Sequence, residues 1–142
     1  MNIRNAKIED LPMIARLCGD LGYSNDEEIV LKRFLKIASD SKHAVFVAES
    51  NSGEITGWIH VIPRILLLSQ PLAEIGGLIV SEKYRRKGVG KHLVNFAEVW
   101  ARNHSYEGII VRSDIKRKES HHFYPRIGYE HLKDQKVYIR FF

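Results

Sequence analysis

The sequence predicts one α/β domain over residues 1–142, with a central mixed sheet flanked by helices. Three observations carry this expectation. A chain of 142 residues has the length of one domain and can bury a core without disulfide or metal staples. The hydrophobic period alternates along the chain between helical and strand values, with neither type confined to one end. No internal repeat, low-complexity run or linker interrupts the alternation.

Each element has its own signal. Asn2–Ile8 reads as a short strand. Asp10 then suits an N-cap and Pro12 a first helical turn, and Ile14, Leu17, Cys18 and Leu21 make one helical face ending at Gly22. Cys18 lies on that apolar stripe and reads as core filler. A second helix opens at Ser24 or Asn25, with Glu27 and Glu28 placed for a capping box, and buries Val30, Leu31, Phe34, Leu35, Ile37 and Ala38. The period then becomes two. His43–Glu49 is a strand, Ser50–Gly53 a turn and Glu54–Ile62 the returning strand, with Pro63 ending regular pairing. After a loop through Gln70 and Pro71, Leu72–Val80 is another strand. A basic stretch, Glu82–Gly90, precedes a helix to about His104 with Val89, Leu93, Phe96, Ala97 and Trp100 on its apolar stripe. Glu107–Arg112 reads as a strand, Lys116–Arg126 as a short helix and Tyr129–Phe142 as one or two final strands.

Composition excludes several classes. With 44% hydrophobic and 27% charged residues the chain is neither disordered nor collagen-like. The single cysteine excludes an intramolecular disulfide framework and a multi-thiolate zinc site. No apolar run follows a basic start, and the most apolar stretch, Val61–Leu68, is broken by Pro63 and Arg64 and too short to span a bilayer. The expectation is a soluble cytoplasmic protein without a membrane partner. The net charge of +5 is compatible with an anionic partner, whether nucleic acid, membrane surface or phosphorylated small molecule, and does not choose among them.

The location of the charge is more informative. Nine basic residues lie in Lys83–Lys91 and Arg112–Lys118. In the first segment Arg85-Arg86-Lys87-Gly88-Val89-Gly90 stands between a strand and an amphipathic helix. Two glycines there let a ligand approach the backbone, the first-turn N–H groups lack intrahelical partners, and the helix dipole favours an anion. The segment is not a Walker A loop, which would need glycine at position 85 and Ser or Thr at position 92. It is not a dinucleotide fingerprint either, since Leu93 stands where the third glycine belongs.

These residues resemble the GNAT superfamily of acetyl-CoA-dependent N-acetyltransferases. Arg85–Gly90 matches its pyrophosphate loop, (Arg/Gln)-x-x-Gly-x-(Gly/Ala), after the strand Leu78-Ile79-Val80. Phe123-Tyr124-Pro125-Arg126-Ile127-Gly128-Tyr129 is similar to the second signature, Phe-Tyr-x-x-x-Gly-(Phe/Tyr), and Ile3–Leu11 is similar to the usual start of such domains. The resemblance implies a single GNAT domain with a mostly antiparallel mixed sheet, and acetyl transfer from acetyl-CoA to a primary amine. It implies cofactor contacts at Leu78, Ile79 and Val80 and at Arg85, Arg86, Lys87, Gly88, Val89, Gly90 and Lys91. Gly76-Gly77 suits a bulge, or relieves crowding against Trp58.

The alkylammonium of the acceptor must lose a proton near neutral pH, and the departing thiolate benefits from a donor. The resemblance implies Glu74 as general base, with a solvent-facing carboxylate at a strand start as the competing reading. It implies Tyr124 as the acid, with a core aromatic as the alternative, and a backbone N–H near Leu78 for the oxyanion. Trp58, His60 and the Ile62–Gln70 loop are expected to flank the acceptor. Pro125, Asp114 and Ser120 depart from the common family pattern. Ser113–Tyr129 is most similar to acetyltransferases of aminoalkylphosphonates and amino sugars, which points to a small amine.

His121-His122 lacks acid or thiol partners at ligand spacing, so no metal is expected. A small basic nucleic-acid module would interleave aromatics with its charges, and this chain does not, so nucleic acid is not an expected partner. A non-catalytic acyl-CoA-binding GNAT-like domain stays open at this level, and Tyr138–Phe142 offers an edge for a homodimer.

Overall fold

The computed structural model describes all residues, Met1–Phe142. The chain divides into two compact units, Met1–Arg112 and Ser113–Phe142.

The first unit opens with β1 (Asn2–Asn5) and a 3-10 turn over Ile8–Asp10. Asp10 sits at the N-cap of α1 (Leu11–Asp20) but does not cap it. Its buried carboxylate accepts instead from Arg4 Nη1 and Nη2 (2.8 and 2.9 Å) and from the Lys7 N–H (2.8 Å), tying the turn to β1. Helix α2 (Glu27–Ala38) starts later than the opening at Ser24 or Asn25 that the sequence predicts, because Asp26 is the cap and accepts from the N–H groups of Glu28 and Ile29. Of its apolar face, Val30, Leu31 and Phe34 pack on Leu11, Ile14, Val47 and Ile55, with Cys18 and Trp58. Leu35 and Ala38, expected to be buried, are exposed, so α2 contributes a narrower stripe than its composition suggests.

The sheet runs in the order β1-β2-β3-β4-β5, with β2 Ala44–Glu49, β3 Ile55–Arg64, β4 Leu72–Val80 and β5 Ile109–Val111. The first three pairings are antiparallel and β4–β5 is parallel, as the mixed sheet requires. Pro63 does not end pairing, since it lies opposite Ala73, and Arg64 lies opposite Leu72. Pairing with β2 ends at Val61, so from there β3 has one neighbour and tolerates a residue without an N–H.

Helix α3 (Val89–Asn103) covers the face opposite α1 and α2 and buries Val89, Leu93, Val94, Ala97 and Ala101. Phe96 is half exposed and meets Phe46 edge to face at 4.9 Å, so the stripe is rotated slightly from the predicted one.

The second unit holds α4 (Lys118–Arg126). Residues 129–142, expected to form one or two strands, form none. Val137, Tyr138, Ile139, Phe141 and Phe142 keep the strand-like pattern yet are exposed, and a strand exists only where a neighbour accepts its hydrogen bonds.

Candidate active site

Strand β4 positions most of the first unit's candidate residues. Opposite β3 it carries one extra residue: His60 pairs with Gly77 and Val61 with Ile75, leaving Gly76 as a bulge. On its other side, β4 pairs with β5 only from Ala73 to Ile75. From Gly76 to Val80 that edge has no strand partner, and Gly76 is exposed after three consecutive buried residues. Such an edge offers main-chain donors and acceptors to an extended ligand lying alongside Leu78, Ile79 and Val80. Both sequence readings of the glycine pair hold. Gly76 makes the bulge, and a Cβ on Gly77 would lie 2.9 Å from the Trp58 ring.

The chain leaves Val80 through a 3-10 turn, Glu82–Tyr84, into the loop before α3. Arg85 donates from Nε to the Val80 carbonyl (3.1 Å), fastening the loop to the strand end. Arg86 (φ +59) and Gly88 (φ +83) both take left-handed backbone, which turns the loop sharply into the helix. No side chain caps α3, so its first-turn N–H groups are presented outward. Arg86, Lys87 and Lys91 are exposed around this mouth. The Lys87 ammonium lies 5.3 Å over the Tyr84 ring, whose hydroxyl donates to Glu54 at 2.6 Å. Uncapped N–H groups, a helix dipole and exposed cations together fit a pyrophosphate.

Glu74 does not face solvent. It is buried, and Arg112 donates to its two oxygens from Nε (2.8 Å) and Nη2 (3.3 Å), while Arg64 Nη1 lies 3.6 Å away. Neither oxygen can take a proton from an amine without weakening this ion pair. His60 stands on the same face of the sheet, since Glu74 pairs with Ile62 and alternate residues share a face. Its Nε2 is 3.0 Å from His43 Nδ1, and its Nδ1 is the atom nearest a Cβ built on Gly76, at 3.3 Å. Burial, reinforced by His43, pushes the His60 imidazole down to about 4. His43, Arg64 and Arg112 were not singled out by sequence, because their partners lie 17, 10 and 38 positions away.

In the second unit, Tyr124 lies in α4 with Phe123 at 5.0 Å and Tyr129 at 5.6 Å between ring centres. Burial pushes its phenol up to about 12, against the opposing charge of Arg117, so the hydroxyl keeps its proton at neutral pH. The spacing of its motif has a structural cause. Tyr129 N–H donates to the Tyr124 carbonyl (3.0 Å) and Gly128 N–H to that of Pro125 (3.2 Å), with Gly128 at φ +96. This is a Schellman stop, and it needs glycine four residues after the tyrosine. Pro125 is accommodated one residue before the helix end. His121 Nε2 is 3.1 Å from the Asp114 carbonyl.

The model of the family described as "Acetyltransferase (GNAT) family" matches residues 9–129. The chain belongs to the GNAT family. It is an acetyl-CoA-dependent N-acetyltransferase, built as one GNAT-fold α/β domain around a five-stranded mixed sheet. An uncharacterized N-acetyltransferase of Chlorobaculum tepidum is 29% identical over 133 residues, covering 94% of this chain and 77% of the relative. An aminoglycoside N(6')-acetyltransferase type 1 of Stenotrophomonas maltophilia is 26% identical, covering 97% and 91%. Among solved structures, the aminoglycoside acetyltransferase AAC(6')-Iy in complex with a CoA-linked bisubstrate analogue aligns with TM-score 0.86 at 19% identity, covering 98% of this GNAT chain and 97% of that one. No helix of this GNAT enzyme is long and apolar enough to cross a membrane.

Proposed function

We propose that this GNAT enzyme acetylates the primary amine of a small molecule, of the amino-sugar or aminoalkylphosphonate kind, using acetyl-CoA as donor. One observation carries the acetyl-CoA part of the reading. A single strand end supplies both an unpaired main-chain edge, Gly76–Val80, and, directly after it, a cationic helix mouth. The edge suits the amide-bearing arm of CoA, through Leu78, Ile79 and Val80, and the mouth suits its pyrophosphate, through the N–H groups of Gly88–Lys91 and the charges of Arg86, Lys87 and Lys91. Arg85 holds the two parts together.

In the reaction, the neutral amine attacks the thioester carbonyl and the carbonyl oxygen becomes an oxyanion. A β4 N–H near Leu78 stabilises that charge, and Tyr124 gives its proton to the departing thiolate. Glu74 enters as the anion that holds Arg112 and Arg64 in place rather than as the base. The amine's proton passes to His60, a neutral imidazole beside the bulge, which hands its own Nε2 proton to His43.

The test is release of free CoA thiol across a panel of small amines. Turnover with at least one is expected, and Tyr124→Phe should lower kcat by roughly a hundred-fold with little change in acetyl-CoA affinity. Equal rates for Tyr124→Phe and the native enzyme would remove Tyr124 from the chemistry. Absence of saturable acetyl-CoA binding by titration would overturn the reading as a whole.

A further inference from the structure

Three charged groups meet on one face of the sheet where β4 and β5 part, and their charges do not balance. Glu74 is the single anion. Arg112 satisfies it with two hydrogen bonds and remains half exposed, at 52% of its side chain. Arg64 is a second cation against the same carboxylate. Its side chain is only 19% exposed, it reaches Glu74 at 3.6 Å, beyond hydrogen-bond distance, and it donates no hydrogen bond to any other group of the chain. A guanidinium has five N–H donors, and no Arg64 nitrogen is among the buried polar atoms left without a partner, so its unused donors are open to solvent and to a ligand. Arg64 is the last residue of β3, at the rim of the sheet.

The placement says what the free donors are for. Arg64, Glu74 and His60 share a face, and Glu74 is two residues along β4 from the Gly76 bulge, a rise of roughly 7 Å. A small molecule whose amine lies at the bulge therefore reaches Arg64 and the outer edge of Arg112 with its other end.

We propose, resting on the acetyltransferase reading above, that the acceptor is an amine with an anionic group, carboxylate or phosphate, a few bonds from its nitrogen, and that Arg64 and Arg112 bind that group. A bidentate guanidinium contact orients the acceptor and leaves the amine free for the thioester. The same charges disfavour polycationic amines, whose additional ammonium groups would face an uncompensated guanidinium.

The experiment compares thiol release with O-phosphoethanolamine, 4-aminobutanoate, butylamine and spermidine at fixed acetyl-CoA, with acetyl-CoA binding followed separately by titration. One or both anionic amines should exceed butylamine in kcat/KM by about ten-fold or more, and spermidine should be the poorest. Arg64→Gln should collapse that ratio, chiefly through KM of the anionic amine, and Arg64→Lys should restore part of it. Should Arg64→Gln fail to fold, ethyl phosphate and butanoate answer the same question with the native enzyme, as inhibitors competitive with the amine. Acetyl-CoA binding accompanied by equal or better turnover of butylamine or spermidine, by no turnover of either anionic amine, or by no inhibition from either anion overturns the proposal. Loss of acetyl-CoA binding itself would instead strike the acetyltransferase reading.

Discussion

His60 and Asp10 show how single buried groups set the acid stability of this chain, in two separate windows. The folded value of His60, about 4, lies below its ordinary 6.5, so the unfolded chain binds the proton more tightly. The stability held by neutral His60 is complete above pH 6.5 and is lost as pH falls toward 4. His43, 3.0 Å away, adds to the effect of burial by disfavouring positive charge on the His60 ring. Asp10 acts lower. Burial pushes its carboxyl up, but hydrogen bonds from Arg4 and the Lys7 N–H outweigh burial and hold it below 3.8. Its contribution is present above pH 3.8 and disappears as pH falls through the folded value. Urea midpoints measured from pH 7.5 to 4.5 should fall for the native protein and fall clearly less for His60→Gln. Parallel slopes would assign that window to another group. Both residues illustrate the reach of sequence reasoning. Asp10 is legible as a helix-start residue, but its partner Arg4 is not, and the His43–His60 contact joins neighbouring strands whose register the pattern leaves open.

Strand β4 carries the most chemistry of any element, and what is legible in it is what is local. The glycine pair announces a bulge or a close approach, and the loop after Val80 announces a phosphate-compatible helix mouth, because φ preferences and first-turn N–H groups belong to a few adjacent residues. The ion pair that occupies Glu74 is invisible in the same stretch, since Arg112 arrives from β5, 38 positions away. The Tyr129–Phe142 strands fail for the converse reason, being pure local pattern without a partner to pair with. Packing at Gly77 gives this element its own prediction. An alanine Cβ would meet Trp58 Cη2 and Cζ3 at 2.9 Å, and the ring is wedged among core residues, so neither side can yield freely. Gly77→Ala should destabilise by about 1–3 kcal/mol in urea unfolding. Gly76→Ala should cost less, because its nearest neighbour, His60 Nδ1 at 3.3 Å, is part of a side chain that can turn. Equal losses for the two would mean that the bulge, not Trp58, sets the cost.

At the scale of the whole molecule, the net charge of +5 takes on a specific meaning. Arg4 is consumed by Asp10 and Glu49, so its charge holds structure. Arg86, Lys87 and Lys91 are exposed at one point, the mouth of α3, rather than spread as a stripe along a helix. A point of charge suits one compact polyanion such as CoA, whereas a duplex would need an extended basic track. Exposed charges are screened within about 10 Å at 0.1 M salt, while main-chain hydrogen bonds along β4 are not. Acetyl-CoA affinity should therefore have two parts. Raising sodium chloride from about 0.05 to about 0.5 M should weaken binding by roughly ten-fold and then level off, as screening of the mouth is completed. Arg86→Gln with Lys87→Gln should begin near the levelled affinity and show little further salt dependence. A native affinity indifferent to salt would place recognition in the strand edge alone, and one that keeps falling without a plateau would remove the strand edge from the binding surface.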